Sequence, residues 1–97
     1  MTTAPGDSAT VRRRVLVQGR VQAVGFRASC ARRATEAGVR GWVRNTEHGD
    51  VEAVFEGPSR SVDALVAWCG EGPPWARVYH VEVSEEPVQG EAAFRIR

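Results

Sequence analysis

The spacing of apolar residues changes along this chain, and that change limits its fold more than any other feature. Over residues 11–18, arginines alternate with apolar residues and lead into Val15, Leu16 and Val17, the pattern of a strand. From Phe26 the step lengthens. Phe26, Cys30, Ala34 and Ala37 are spaced as one face of a helix, which Gly38 is placed to end. Residues 39–46 return to strict alternation. Val39, Gly41, Val43 and Asn45 share one side; Arg40, Trp42, Arg44 and Thr46 share the other. After a turn over residues 47–49, residues 50–56 read as a third strand, with Val51, Ala53 and Phe55 opposite Glu52, Val54 and Glu56. Gly57 and Pro58 open a second helix, proline taking its first position, with an apolar stripe of Val62, Leu65, Val66 and Cys69. Tyr79, Val81 and Val83 alternate with His80 and Glu82 as a fourth strand. Residues 94–97 form a short last one after a turn at Gly90.

This order predicts an α/β chain of the α+β sandwich type, a ferredoxin-like βαββαβ domain. An antiparallel sheet would carry both helices on one face, with an extra C-terminal strand. With 97 residues there is room for one such domain, spanning residues 11–97 behind a flexible tail over residues 1–10. A chain this short buries only about 60–65% of its unfolded surface, so one sheet on one layer of helices is the expected limit.

Thirteen basic and 12 acidic residues leave a net charge of +1. No general attraction to nucleic acid or membrane follows from that balance, so anion binding must be local. Cys30 and Cys69 form no CxxC pair and lie far in sequence from His48 and His80, which argues against zinc. Two buried free thiols are expected instead. The N-terminus lacks a signal-peptide pattern, and no apolar run approaches the roughly 20 residues that cross a bilayer. A cytoplasmic monomer is the resulting expectation.

Between the first strand and the first helix lies Gly19-Arg20-Val21-Gln22-Ala23-Val24-Gly25-Phe26-Arg27. Backbone N–H groups at a helix start lack helical partners and carry partial positive charge, so such a loop can cradle a phosphate. Its glycines allow close approach. Arg27 adds a permanent charge and a planar fork suited to phosphate oxygens. The spacing is neither that of a Walker loop nor that of a dinucleotide fingerprint.

The run from Val17 and Gly19 through Val21, Gln22, Val24, Gly25, Phe26 and Arg27 resembles the first signature of the acylphosphatase family. Gly41-Trp42-Val43-Arg44-Asn45-Thr46, with Gly49 and Val51, resembles the second. The resemblance continues through Glu56-Gly57-Pro58 to the C-terminus. It implies the ferredoxin-like fold and hydrolysis of acyl phosphates to carboxylate and inorganic phosphate, without metal or cofactor. It assigns catalytic roles to Arg27 and Asn45, with phosphate held by the loop residues Gln22, Ala23, Val24, Gly25, Phe26 and Arg27. The family usually has glycine where this chain has Ala23. If that position is left-handed, alanine costs roughly 1–2 kcal/mol.

The topology supplies a check. Strands one and two would run parallel with the third between them, so the loop and Asn45 emerge at the same sheet edge. Asn45 shares the parity of Val43 and points toward the helices. Arg27 and the loop amides would then neutralise phosphoryl oxygens, while Asn45, donor and acceptor at once, orients a water. No general base accompanies them, which suits an anhydride with a carboxylate leaving group better than a phosphate ester. Arg20 stands near the loop mouth. Gln22 is placed to brace the loop, and Thr46 to support it. Trp42 is expected to shield the open sheet face among arginine stems, and Trp68 and Trp75 to be structural.

Two other readings start from the same residues. A phosphate or acyl-phosphate sensor would keep the loop and turn over slowly, and Ala23 favours it. An RNA-binding or regulatory module would use Arg12, Arg14, Arg40 and Arg44 on the open face. That face lacks the third-strand aromatics of RNA-recognition modules and instead offers Glu52 and Glu56 to pair with the arginines.

Overall fold

The computed structural model describes residues 9–97. Five strands and two helices follow in the order β1 (Thr10–Arg20), α1 (Phe26–Glu36), β2 (Arg40–Asn45), β3 (Val51–Pro58), α2 (Ser59–Cys69), β4 (Arg77–Glu86) and β5 (Phe94–Ile96). They build one sheet in the order β4-β1-β3-β2-β5. β3 is antiparallel to both β1 and β2, and β5 joins β2 in parallel. This is the expected ferredoxin-like arrangement. It leaves β1 and β2 parallel, with their C-terminal ends at the same edge. Among the described residues no helix is long and apolar enough to cross a membrane.

Alternation along the strands separates the two faces of the sheet. Val15, Val17, Val43, Val51, Ala53 and Phe55 pack against Phe26, Cys30 and Ala34 of α1 and Val62, Leu65, Trp68 and Cys69 of α2. Burying each valine or phenylalanine contributes about 1.5–3 kcal/mol. The Phe26 and Trp68 rings meet at 5.1 Å, tying the start of α1 to the end of α2. Both cysteines are free and buried. Hydrogen bonding with Cys69 and burial together push the Cys30 thiol well above its ordinary range, so it stays protonated at neutral pH.

The opposite face carries an ionic lattice. Arg12, only 4% exposed, pairs with Glu56, Glu86 and Glu91 at 3.2, 3.0 and 2.9 Å. Arg14 joins Glu52 and Glu86, and Arg44 joins Glu52, each at 2.6 Å. Three of the four arginines of the sequence-derived patch are thus matched by carboxylates. Trp42 is buried between the Arg14 and Arg97 guanidiniums, 5.4 and 4.4 Å from its ring, the shielding role expected of it. Glu56 is fully buried. Its carboxylate also accepts the backbone N–H groups of Gln89, Gly90 and Glu91 at 2.8, 2.9 and 2.7 Å. It thereby pins the segment between β4 and β5. Burial alone would raise the Glu56 pKa, but the Gln89, Glu91, Arg12 and Gly90 hydrogen bonds outweigh it and hold the carboxyl below its usual range.

Several local expectations need correction. Thr10 belongs to β1, and the Ala9 carbonyl accepts the Ser59 N–H at 2.9 Å, so these two residues are anchored; residues 1–8 lie outside the described residues. Pro58 is the cap before α2 rather than its first residue, because its ψ of 136° is extended. Ala37 caps α1 and is exposed. On β4 the register shifts opposite Gln18 and Gly19, so Gln18 pairs with His80 but Gly19 with Val78. That bulge reverses the parity. Val78 and Val81 pack on the core, while Tyr79 is 72% exposed. Trp75, expected to be structural, is 82% exposed.

Candidate active site

The loop after β1 owes its shape to two glycines and one strained alanine. Gly19 lies against β4, where a Cβ would run into the Arg77 carbonyl oxygen, so no larger residue fits. Gly25 caps α1 in the left-handed conformation (φ 78°). No side chain caps this helix, and no acidic residue occupies its first turn. The first turn therefore carries neither a side-chain cap nor a built-in anion. Ala23 has φ 60°, the left-handed backbone for which its departure from glycine was expected to matter. An alanine there costs roughly 1–2 kcal/mol. Glycine's greater unfolded-state entropy takes back about 0.4–1 kcal/mol of this, so Ala23→Gly should stabilise by a net of about 0.5–1 kcal/mol and raise the thermal midpoint by about 2–8 °C. Differential scanning calorimetry checks this.

A cavity of about 200 Å³ opens at this edge of the sheet, lined by Val21, Ala23, Gly25, Phe26, Arg27, Ala28, Asn45 and Ile96. That is below the roughly 300–1,000 Å³ of pockets that enclose drug-sized ligands. Arg27 in the first turn of α1 and Asn45 at the end of β2 meet in it, as the parity of Asn45 required. Of the other predicted site residues, Ala23, Gly25 and Phe26 also line the cavity. Val24 instead packs against the core. Gln22 turns away to the β2–β3 turn, where its Nε2 donates to the Thr46 and Asp50 carbonyls, both at 2.8 Å. Thr46 closes that turn through its hydroxyl, which accepts the His48 and Asp50 N–H groups at 3.3 and 3.1 Å. Arg20 is exposed and does not line the cavity.

Two contributors escaped the sequence reading. Ile96, 50% exposed, forms one wall. A main-chain oxygen of Arg97 accepts a hydrogen bond from Arg27 Nη1 at 3.3 Å. Both arrive because β5 lies parallel to β2, with Val43 opposite Ile96. No local pattern announces such a pairing. None of the residues lining the cavity is a His, Asp, Glu or Cys. A larger cleft of about 420 Å³ lies between α1 and α2, bordered by Arg33, Arg60 and Trp68 and containing neither Arg27 nor Asn45.

Comparison with known proteins bears on the family and the fold. The chain is 60% identical over 89 residues to an acylphosphatase of Rubrobacter xylanophilus, a match covering 91% of this chain and 81% of the relative. Its fold superimposes on an acylphosphatase of Coxiella burnetii with a TM-score of 0.87 and 42% identity, over 91% of this chain and 93% of the other. The acylphosphatase of Bacillus subtilis gives a TM-score of 0.86 at 34% identity, over 90% and 98% of the two chains. With a family model described as Acylphosphatase matching residues 13–96, this chain belongs to the acylphosphatase family.

Proposed function

We propose that the 19–27 loop and Asn45 are the machinery with which this chain hydrolyses acyl phosphates to carboxylate and inorganic phosphate. The backbone N–H groups of Gln22, Ala23, Val24, Gly25, Phe26 and Arg27 surround the phosphoryl group, and the Arg27 guanidinium neutralises its oxygens as charge redistributes. The Asn45 amide holds a water in line with the bond to be broken. The water oxygen bonds to phosphorus as the phosphorus–acyl oxygen bond breaks. The carboxylate leaves with the electron pair, and the water proton passes to a phosphate oxygen. The observation that carries this reading is the meeting of Arg27 and Asn45 in one small cavity without a general base. A carboxylate leaves without protonation, so an acyl phosphate needs none.

The small cavity accommodates the phosphoryl group and leaves the acyl part largely outside, which favours breadth toward that part. Asn45→Ala should lower kcat for benzoyl phosphate by about 100-fold or more while inorganic phosphate still competes, because the cradle survives. Steady-state kinetics with phosphate inhibition checks both halves. An Asn45→Ala enzyme of near-normal kcat would remove Asn45 from the mechanism.

A further inference from the structure

The loop and Asn45 belong to different parts of the chain, and the chemistry requires them to be held at a fixed separation. Residues 21–25 belong to neither helix nor strand, and the loop contains the left-handed Ala23. Asn45 is the last residue of β2, paired with Val51 at the mouth of the turn. Gln22 spans this gap. Its Nε2 has two N–H donors, and the Thr46 and Asp50 carbonyls take one each at 2.8 Å. Those two residues are themselves joined, the Thr46 N–H donating to the Asp50 carbonyl at 2.9 Å. One side chain from the loop thus grips both ends of the turn that Asn45 enters.

We infer that Gln22 is a positioning residue for the water-attack step, an inference that rests on the roles given above to the loop and Asn45. Its side chain does not line the cavity, so it acts by fixing where Asn45 stands relative to the phosphate cradle. A displacement of about 1 Å at such a site is enough to cost roughly 100-fold in rate. Loss of the amide therefore falls on turnover and spares phosphate binding.

The experiment compares wild type, Gln22→Ala, Gln22→Glu, Asn45→Ala and the Gln22→Ala/Asn45→Ala double variant on benzoyl phosphate, with inorganic phosphate as inhibitor. Gln22→Ala should lower kcat about 10- to 100-fold, with KM and the phosphate inhibition constant within about twofold of wild type. In the Asn45→Ala background the same change should cost less than about threefold, since the residue it positions is gone. Gln22→Glu, which sets a carboxylate against two carbonyls, should fall at least as far. Parallel losses in kcat and phosphate affinity would overturn the inference, as would full multiplication of the two single effects. The Asn45 side-chain amide resonance supplies a readout that needs no turnover: it should move in both Gln22 variants. If it stays in place, the clamp is refuted even in an active enzyme. If wild type fails to hydrolyse benzoyl phosphate, the functional assignment falls, and the resonance still decides the clamp.

Discussion

Arg27→Ala should abolish measurable hydrolysis, with a loss of at least about 100-fold in kcat and a weakened competition by inorganic phosphate. Arg27 stands in the first turn of a helix that no side chain caps, so its charge adds to that of the helix start at one point. One of its five N–H donors is taken by a main-chain oxygen of Arg97 at 3.3 Å. That contact orients the guanidinium and leaves donors for the phosphoryl oxygens. Arg27→Lys keeps the charge and loses the planar fork, so it should fall between alanine and wild type. Steady-state kinetics decides the matter, with circular dichroism confirming that each variant is folded. Turnover within a few-fold of wild type in Arg27→Ala would show that the loop amides alone suffice.

Glu56→Ala should destabilise the fold by about 3–5 kcal/mol, because it leaves Arg12 with one partner fewer in a buried site and strands the Gln89, Gly90 and Glu91 N–H groups. For a domain of this size the thermal midpoint should drop by more than about 10 °C. The same lattice sets the acid limb of stability. Hydrogen bonds from Arg14 and Arg12 hold Glu86 below the usual carboxylate range. Burial pushes Glu52 upward, but Arg44 and Arg14 outweigh it, as the Arg12 and backbone bonds do for Glu56. Each folded-state pKa lies below its unfolded value of about 4.3. Their stabilisation is therefore complete above that value and is lost as pH falls through the lowered folded pKa values. Urea midpoints should be level from pH 7 to about 5 and decline below. Glu56→Gln should make that decline shallower.

How far such a site can be read from sequence depends on whether its parts are local. The strand and helix order was legible because apolar spacing reports burial directly, and Val15, Phe26, Val43 and Phe55 all lie in the core it implied. Arg27 and Asn45 were singled out by the two acylphosphatase-like signatures that contain them, and the topology added only that a helix start and an inward-facing strand end lie at one sheet edge. The positive φ of Ala23 was open to expectation only through the glycine that the resembled family usually carries there. The bulge at Tyr79 was not, since it depends on how β4 meets Gly19 across the sheet. Nor was the wall formed by Ile96, which depends on a parallel pairing between segments about 50 residues apart. Gln22 was recognisable as a brace, but its partners are backbone carbonyls, which carry no sequence signature.

Phosphate should bind in the 19–27 loop beside Asn45. Titration of the uniformly ¹⁵N-labelled protein with inorganic phosphate, followed by its ¹H–¹⁵N resonances, tests it most directly. Saturable shifts should concentrate in the backbone amides of residues 22–27 and the Asn45 side-chain amide and vanish in Arg27→Ala. Shifts that cluster instead around Arg33, Arg60 and Trp68 in the cleft between α1 and α2, with the loop unmoved, would contradict it.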